Sequence, residues 1–439
     1  MGRLSAGLLH SLMYNYRGCS IPLFFIFLDF PCGGLEWNTM SLYFDHNATT
    51  PLAPEALEEM LPYMRQDYGN AASIHRPGQR ARAAVEKARA QVAALVHCEP
   101  NEIVFTSGGT ESNNIAILGA VRESGKARKH VITSVIEHHA VLRPCQALER
   151  EGVEVTYVPV SADGFVEPDE VRKALRPETV LISIMHANNE TGAVQPVKDI
   201  AAIAREAGVL FHSDAVQSTG KIPVDVTGLG VDLLSMSAHK FGGPKGVGAL
   251  FVRQGVRLLP LMFGGMKELD TRPGTENVAG IVGMGAAARL ATENMDQDAQ
   301  QLARLRDRLE AEILKRIDRA GVNGARENVR DGEWRRMPNT TNLYFDFVEG
   351  EALVIALDLQ GIACSTGSAC SSGSVEPSHV LLAMGLSAER ARSSVRFSLG
   401  KANTEQDVDT VLRIIAPTVK RLRALSPRVP AEMRESVRN

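Results

Sequence analysis

Cysteine is scarce in this chain: Cys19, Cys32, Cys98, Cys145, Cys364 and Cys370 are the six thiols among 439 residues, with no Cys-x-x-Cys pair and no histidine at metal-ligand spacing. That excludes a disulfide scaffold and a structural zinc site, and it suits a reducing, cytoplasmic setting in which a free thiol persists. Dense basic blocks are also missing. With 48 Lys and Arg against 51 Asp and Glu, the formal charge is -3. The chain therefore offers no footprint for a phosphate backbone, and no direct nucleic-acid partner is expected. Long apolar runs are absent too. Ile21-Pro-Leu-Phe-Phe-Ile-Phe-Leu28 falls far short of the roughly 20 residues a membrane span needs, and no membrane association is expected. Asp29, Phe30 and Pro31 follow it where a secretory signal would carry small residues at a cleavage site. Residues 1–40 are therefore read as an upstream extension from a misassigned start, with Met40 opening the working protein and a targeting peptide as the alternative.

What is present is glycine, 38 residues of it, in a chain that is 44% hydrophobic and 23% charged. Such a length exceeds one ordinary core and predicts two unequal domains. From Pro54 to Leu290 helical periodicity alternates with short β-rich runs, which predicts βαβ units around a mostly parallel sheet. Seven strands are expected, at 102–106, 130–134, 154–159, 180–185, 210–213, 233–237 and 248–252, with helices such as 81–95 and 197–207 packed on them. The periodic stretch 301–317 begins a second unit. Strands at 342–347, 362–365 and 394–399 and a helix at 351–359 make it a smaller α+β domain. The resulting division is 1–40 extension, 41–53 segment joining the small domain, 54–292 large domain, 293–426 small domain and 427–439 polar tail.

Three features at strand ends carry the chemistry. Thr106-Ser-Gly-Gly-Thr-Glu-Ser-Asn-Asn114 follows a strand and opens a helix, so Gly109 and Thr110 lie where backbone amides and the helix dipole face an anion. A phosphate seat and a plain tight turn both fit that pattern. Asp214 stands at the end of the next informative strand, where it either faces a protonated ring nitrogen or caps a helix. Lys240, 26 residues further on in Ser237-Ala-His-Lys240, is a solvated loop lysine or, in a partly dry pocket, a Schiff-base lysine. Taken together, an anion seat, a carboxylate and a lysine at successive strand ends make a pyridoxal-phosphate site. His138 follows another strand and is placed to cover the ring. A metal pair with His139 is the rival reading, disfavoured because adjacent residues rarely converge on one ion.

These residues resemble the NifS/IscS-type cysteine desulfurases of the class V aminotransferase-like family. The likeness runs from Tyr43-Phe-Asp-His-Asn-Ala-Thr-Thr50 to about Ser426 and includes His186-Ala-Asn-Asn-Glu190, Asp214-Ala-Val-Gln217, Arg272-Pro-Gly-Thr275 and Ser365-Thr-Gly-Ser-Ala-Cys-Ser-Ser372. It implies a fold-type I pyridoxal-phosphate transferase that converts L-cysteine to L-alanine. By the same resemblance Asn189 meets the cofactor's ring oxygen, Gln217 lies beside it, and Ser237 and His239 join Gly109 and Thr110 on the phosphate. Thr275 reaches the phosphate of the other subunit, which implies a homodimer.

Cys370 sits in a loop of small residues with almost no side chain to anchor it, the setting a thiol needs to visit both a pocket and an acceptor. In this reading Cys370 attacks the substrate sulfur and keeps it as a persulfide, with His138 as proton acceptor. Val395, Phe397 and Leu399 share one strand face, so Arg396 points to the polar side, as a plain surface arginine or, as the resemblance implies, as the clamp for the substrate carboxylate. Cys364 is expected to be a small buried residue. The resemblance implies delivery to an iron–sulfur scaffold or another sulfur-acceptor protein. No intrinsic metal is expected, apart from the Cys370 persulfide as a transient iron–sulfur ligand. The rival readings are a sibling enzyme, such as a selenocysteine lyase or an aminotransferase, and a catalytically silent scaffold.

Overall fold

A computed structural model describes residues 42–265, 268, 271–367 and 376–430. The extension at 1–40, most of the Cys370 loop and the last nine residues lie outside them.

The seven expected strands form one sheet. Its order is Ile103–Thr106, Gly248–Val252, Leu233–Ser237, Leu210–Asp214, Thr179–Ser183, His130–Ser134 and Glu154–Val158. All neighbours are parallel except Gly248–Val252, which runs antiparallel to both of its own. Because strand side chains alternate in direction, each strand feeds two cores. Ile103, Phe105, Ile132, Ile182, Leu234 and Phe251 point to one face, against the helices Arg76–Leu95 and Val197–Ala207. Val104, Val131, Leu181, Leu233 and Leu250 point to the other, against the helices Gly109–Glu123 and His139–Arg150. The result is a three-layer α/β unit whose inner strands are buried on both sides.

The strand expected at 180–185 stops at Ser183. Beyond it the amide of Ile184 donates to the carbonyl of His212, and that of Met185 donates to the Glu137 carboxyl group. The chain thus leaves its ladder for a side-chain acceptor.

A 39-residue helix, Val278–Arg316, runs through the expected boundary at 292/293 without a break. At 1.5 Å per residue it is about 58 Å long. Its first half places Ile281, Met284 and Ala288 in the core of the large unit, and its second half places Leu302, Leu305, Leu309 and Ile313 in another. That second core covers a three-stranded antiparallel sheet, Ser394–Ser398, Thr340–Phe345 and Ala320–Val322, backed by the helices Gly350–Asp358 and Glu405–Leu425. The segment after residue 41 joins it: Leu42–Tyr43 pairs in parallel with Ile362–Ala363, and Phe44 is fully buried there.

Candidate active site

The antiparallel strand Gly248–Val252 returns the chain so that Ile103–Thr106 again points the same way as the parallel strands. The C-terminal ends of all the others therefore meet along one edge of the sheet. In an open α/β sheet that edge is where ligands bind.

At one end of it lies the glycine turn. Gly108 has φ 152°, and the Thr106 hydroxyl accepts its amide at 3.3 Å while bonding the Ser112 hydroxyl at 2.8 Å. A Cβ on Gly109 would stand 2.5 Å from Cγ2 of Val216, and one on Gly108 would stand 3.7 Å from Oγ of Ser237. The structure thus brings Ser237 to the turn that opens the helix Gly109–Glu123, and the turn is too tight for a side chain. Thr110, at the first turn of that helix, is exposed.

Asp214 ends its strand and is 6% exposed. One carboxylate oxygen accepts Nδ2 of Asn113 at 2.6 Å, and the other accepts the amide of Val216 at 3.0 Å. The bond to the Val216 amide is a local turn contact, and no helix opens before Val226, so Asp214 caps none; the two bonds hold the charge at the strand end. The amide oxygen of Asn113 is buried and has no partner among the described residues.

Lys240 closes the short 3-10 turn Ala238–Lys240. Its ammonium donates to the carbonyls of Asn47 at 2.5 Å and Ala48 at 2.9 Å. The turn segment that carries those carbonyls is tied back to the lysine turn by Thr50 N–H to the His239 carbonyl and Ala53 N–H to the Gly242 carbonyl, both at 2.9 Å. His239 holds the Thr49 hydroxyl through Nδ1 at 3.1 Å. Burial and then the charge of Lys240 push His239 down to about 4, so at neutral pH it is an uncharged imidazole.

Asn47 is the hub that sequence reasoning missed. Its carbonyl takes Lys240 and also Nε2 of Gln217 at 3.0 Å, while its side chain donates to the Asn189 carbonyl at 3.1 Å and to the Thr340 hydroxyl at 2.9 Å. The motif Asp45-His-Asn-Ala-Thr-Thr50 was visible, but main-chain acceptors leave no side-chain signature. Lys221 was also missed. Its Nζ donates to the side-chain oxygens Oε1 of Gln217 at 3.2 Å and Oδ1 of Asn47 at 3.5 Å.

Arg396 reaches the same turn segment from the small unit. Val395 and Phe397 face the second core, so Arg396 faces away from it, as the alternation required. It is 2% exposed, pairs with Asp45 at 2.6 Å and donates to the Asn189 carbonyl at 2.9 Å. Its Nε is buried without a partner among the described residues.

His138 caps the helix His139–Arg150, with Nδ1 accepting the amide of Ala140 at 3.0 Å. An amide can only donate, so the neutral ring carries its proton on Nε2. Service as a proton acceptor therefore requires this cap to open. Among the described residues no three His, Cys, Asp or Glu side chains gather as a metal site. Thr275 stands apart, exposed on the stretch ahead of the long helix. Cys370 lies outside the described residues. Cys364 is buried in the second core, and burial pushes its thiol up to about 12, as it does for Cys98 and Cys145.

Fold and strand-end site together define a class V aminotransferase-like enzyme. The aminotransferase class-V family model matches residues 42–411, and the chain belongs to that family. It is 50% identical over 386 residues to the cysteine desulfurase IscS of Dictyoglomus turgidum (strain DSM 6724 / Z-1310), an alignment covering 88% of this chain and 96% of that protein. Among solved structures, a NifS-like protein superposes with a TM-score of 0.80 at 39% identity, covering 87% of this chain and all (100%) of the other. SspA in complex with cysteine matches with a TM-score of 0.71 at 37% identity, over 83% of this chain and 100% of that one. Within the family, the chain stands with the IscS-type cysteine desulfurases.

Proposed function

We propose that this site binds pyridoxal 5'-phosphate and L-cysteine, and that the chain moves the substrate sulfur onto Cys370 as a persulfide, releasing L-alanine. One juxtaposition carries the reading: Ser237, at the end of one strand, meets the Gly108–Gly109 turn, Lys240 follows it by three residues, and Asp214 ends the neighbouring strand.

The residues fit the cofactor. Gly109, Thr110, Ser237 and neutral His239 would seat the phosphate, with the helix dipole adding to their amides and hydroxyls. Asp214, fixed from both sides, would pair with the ring nitrogen, and Asn189 and Gln217 would lie at the ring edge. His138 would cover the ring face. Bound there, the cofactor supplies an electron sink that loosens the bonds at the substrate's α-carbon.

The remaining work falls to the chain. Arg396 receives the substrate carboxylate through its unpartnered Nε side. Lys240 moves a proton at Cα. The Cys370 thiolate forms an S–S bond with the substrate sulfur as the C–S bond breaks, and the carbon takes up a proton to leave as alanine. Cysteine and one thiol thus become alanine and one persulfide. Acceptance of the sulfur by an iron–sulfur scaffold or a similar protein, pairing into a homodimer through Thr275, and a cytoplasmic setting belong to the same proposal. No helix among the described residues is long and apolar enough to cross a membrane.

The test is a visible absorbance band from cofactor bound to the purified chain, together with alanine formation from cysteine. Lys240→Ala should lose the band, and a band that survives that change would remove the lysine assignment.

A further inference from the structure

The stretch His186-Ala-Asn-Asn-Glu190 holds a carboxyl group that the cofactor and substrate do not claim: Glu190, only 3% exposed. Its main chain is fixed. The Glu190 amide donates to Oδ1 of Asn188 at 2.9 Å, and the Glu190 carbonyl accepts Nδ2 of Asn342 at 3.2 Å. One residue earlier, the Asn189 carbonyl meets Arg396 and the Asn47 side chain. Glu190 thus extends from the wall of the site.

Its side chain meets both flanks of the sequence that carries Cys370. On the later flank, the Ser378 hydroxyl donates to Oε2 of Glu190 at 2.5 Å, and Ser378 caps the short helix His379–Ala383 by accepting the Leu381 amide at 3.2 Å. On the earlier flank, Gly367 is buried against the same oxygen. A Cβ on Gly367 would stand 3.1 Å from Oε2, on a backbone with φ 90°. Residues 368–377, Cys370 among them, lie between these two positions in sequence. Their two ends therefore converge on one buried acceptor.

Each flank is also tied to a neighbour of the site. Ser365 and Arg396 exchange two backbone hydrogen bonds, at 2.6 and 3.2 Å, and the Ser365 hydroxyl accepts the Gly367 amide at 3.1 Å. Nε2 of His379 donates to the carbonyl of Glu137, next to His138, at 3.0 Å. Only Glu190 touches both flanks with one side chain.

We propose that Glu190 is a positioning residue for the thiol step, a staple that holds the start and the end of the Cys370 segment together against the wall of the site. A carboxyl oxygen accepts a hydrogen bond whether or not the group is ionised, so the staple does not depend on the charge of Glu190. Holding both ends of a segment limits the positions that the residues between them reach. A thiol so confined meets the substrate sulfur in alignment more often.

The inference rests on Cys370 receiving the sulfur, and the readouts keep the two claims apart. In the full chain loaded with pyridoxal 5'-phosphate, hydrogen exchange read by mass spectrometry follows the peptides that hold the Gly367 and Leu381 amides. Glu190→Ala should speed exchange in both by at least about 10-fold, with the helix Glu405–Leu425 as the unmoved reference. Alanine formation from cysteine should fall by at least about 10-fold, while the affinities for cofactor and for L-alanine, read from the visible band, stay within about two-fold of the parent. Glu190→Gln keeps the shape and an acceptor oxygen, and should recover most of both losses. Glu190→Asp, one methylene short, replaces Glu190→Ala if the latter does not fold. Exchange unmoved at either flank overturns the proposal. So does a loss of L-alanine affinity as large as the loss of rate, which would make Glu190 a support of the whole site. Faster exchange at both flanks with undiminished alanine formation overturns it if Cys370→Ala is inactive. If Cys370→Ala is fully active as well, the staple stands and the thiol assignment falls.

Discussion

Arg396 and Asp45 lie 2.6 Å apart, their side chains 3% and 19% exposed, and they join the strand Ser394–Ser398 to the turn segment that also receives Lys240. The pair therefore has two functions in tension. It holds the turn segment in place, and it engages the guanidinium assigned to the substrate carboxylate. Removing one member of a buried pair leaves the other charge uncompensated, at a cost of about 3–5 kcal/mol. Asp45→Asn should accordingly lower the melting temperature. If Arg396 receives a carboxylate, L-alanine should then raise that temperature more in Asp45→Asn than in the parent. Equal shifts in the two proteins, measured by thermal denaturation, would remove Arg396 from substrate binding.

Gly109 meets Val216 too closely for any side chain. Gly109→Ala forces a Cβ to within 2.5 Å of the Val216 methyl and should cost about 1–3 kcal/mol, as overpacking does, while displacing the amides of the phosphate seat. Val216→Ala removes the obstructing methyl. The double variant should therefore recover most of the cofactor affinity lost by Gly109→Ala, measured by equilibrium titration with pyridoxal 5'-phosphate. Failure of the rescue would mean that the turn's own backbone conformation, rather than this contact, demands glycine.

Acid should destabilise the fold through its buried histidines. His212 is wedged between the Ser183 and Ser235 hydroxyls at 2.8 and 3.0 Å, and burial pushes it down to about 3. His46, His186 and His239 are each pushed down to about 4, mainly by burial. All four folded values lie below the unfolded value of about 6.5. The unfolded chain therefore binds more protons in that interval, and stability falls as pH drops below about 6.5. Glu137 opposes this. Burial raises it to about 8, so it contributes stability at low pH that is lost as pH rises toward that value. Glu190 is raised by burial as well, but His130, His139 and His379 are lowered like the four named, so the histidines outnumber the two carboxyls and chemical denaturation should show a net loss of stability from pH 6.5 to 5. Glu137→Gln should steepen that loss, and an unchanged slope would show that Glu137 does not titrate there.

Asp214 is held by Asn113 and by the Val216 amide, so its position does not depend on a ligand. Asp214→Asn keeps the shape and removes the charge. Alanine formation should fall by at least about 100-fold, the scale of losing one preorganised electrostatic partner, with little change in stability. Asn113→Ala should have a smaller effect on rate and weaken cofactor binding. The reverse ranking, found by steady-state kinetics, would move the electrostatic role away from Asp214.

Much of this arrangement is written in local patterns. Strands such as His130–Ser134 and Leu233–Ser237 are legible because alternating apolar residues feed two cores, and Asp214 and Lys240 are legible because a polar residue after such a strand lies at the ligand edge. The contributions of Asn47 and Lys221 are not. The turn segment acts through carbonyls, which every residue possesses, and Lys221 joins the site only when Asn47, 174 residues earlier, folds over it. The single helix Val278–Arg316 was hidden for another reason. Its first half packs in the core of the large unit and its second half in the other core, so the periodic stretch 301–317 reads as the start of a separate element, although Gly283 and Gly285, where a Cβ would stand 2.5 Å from Met60 and 2.6 Å from Gln91, pack the first half against two other helices.

The thiol chemistry gives the last expectation. Cys98, Cys145 and Cys364 are each raised to about 12, so at neutral pH essentially none of them is thiolate. Thiolate is the species that attacks sulfur, and these three are therefore poor nucleophiles wherever they sit. Cys370, in its run of small residues, is the cysteine to which the family resemblance assigns the reaction. Cys370→Ala should abolish persulfide formation and lower alanine release from cysteine by at least about 100-fold, while the cofactor band stays intact. Cys364→Ala should keep turnover and lose only the modest stability of a small buried side chain, about 1 kcal/mol. Alkylation with iodoacetamide at pH 7.5, followed by peptide mapping, should label Cys370 well before Cys98, Cys145 or Cys364. A Cys370→Ala protein with full alanine and sulfide production would take the persulfide step away from this residue.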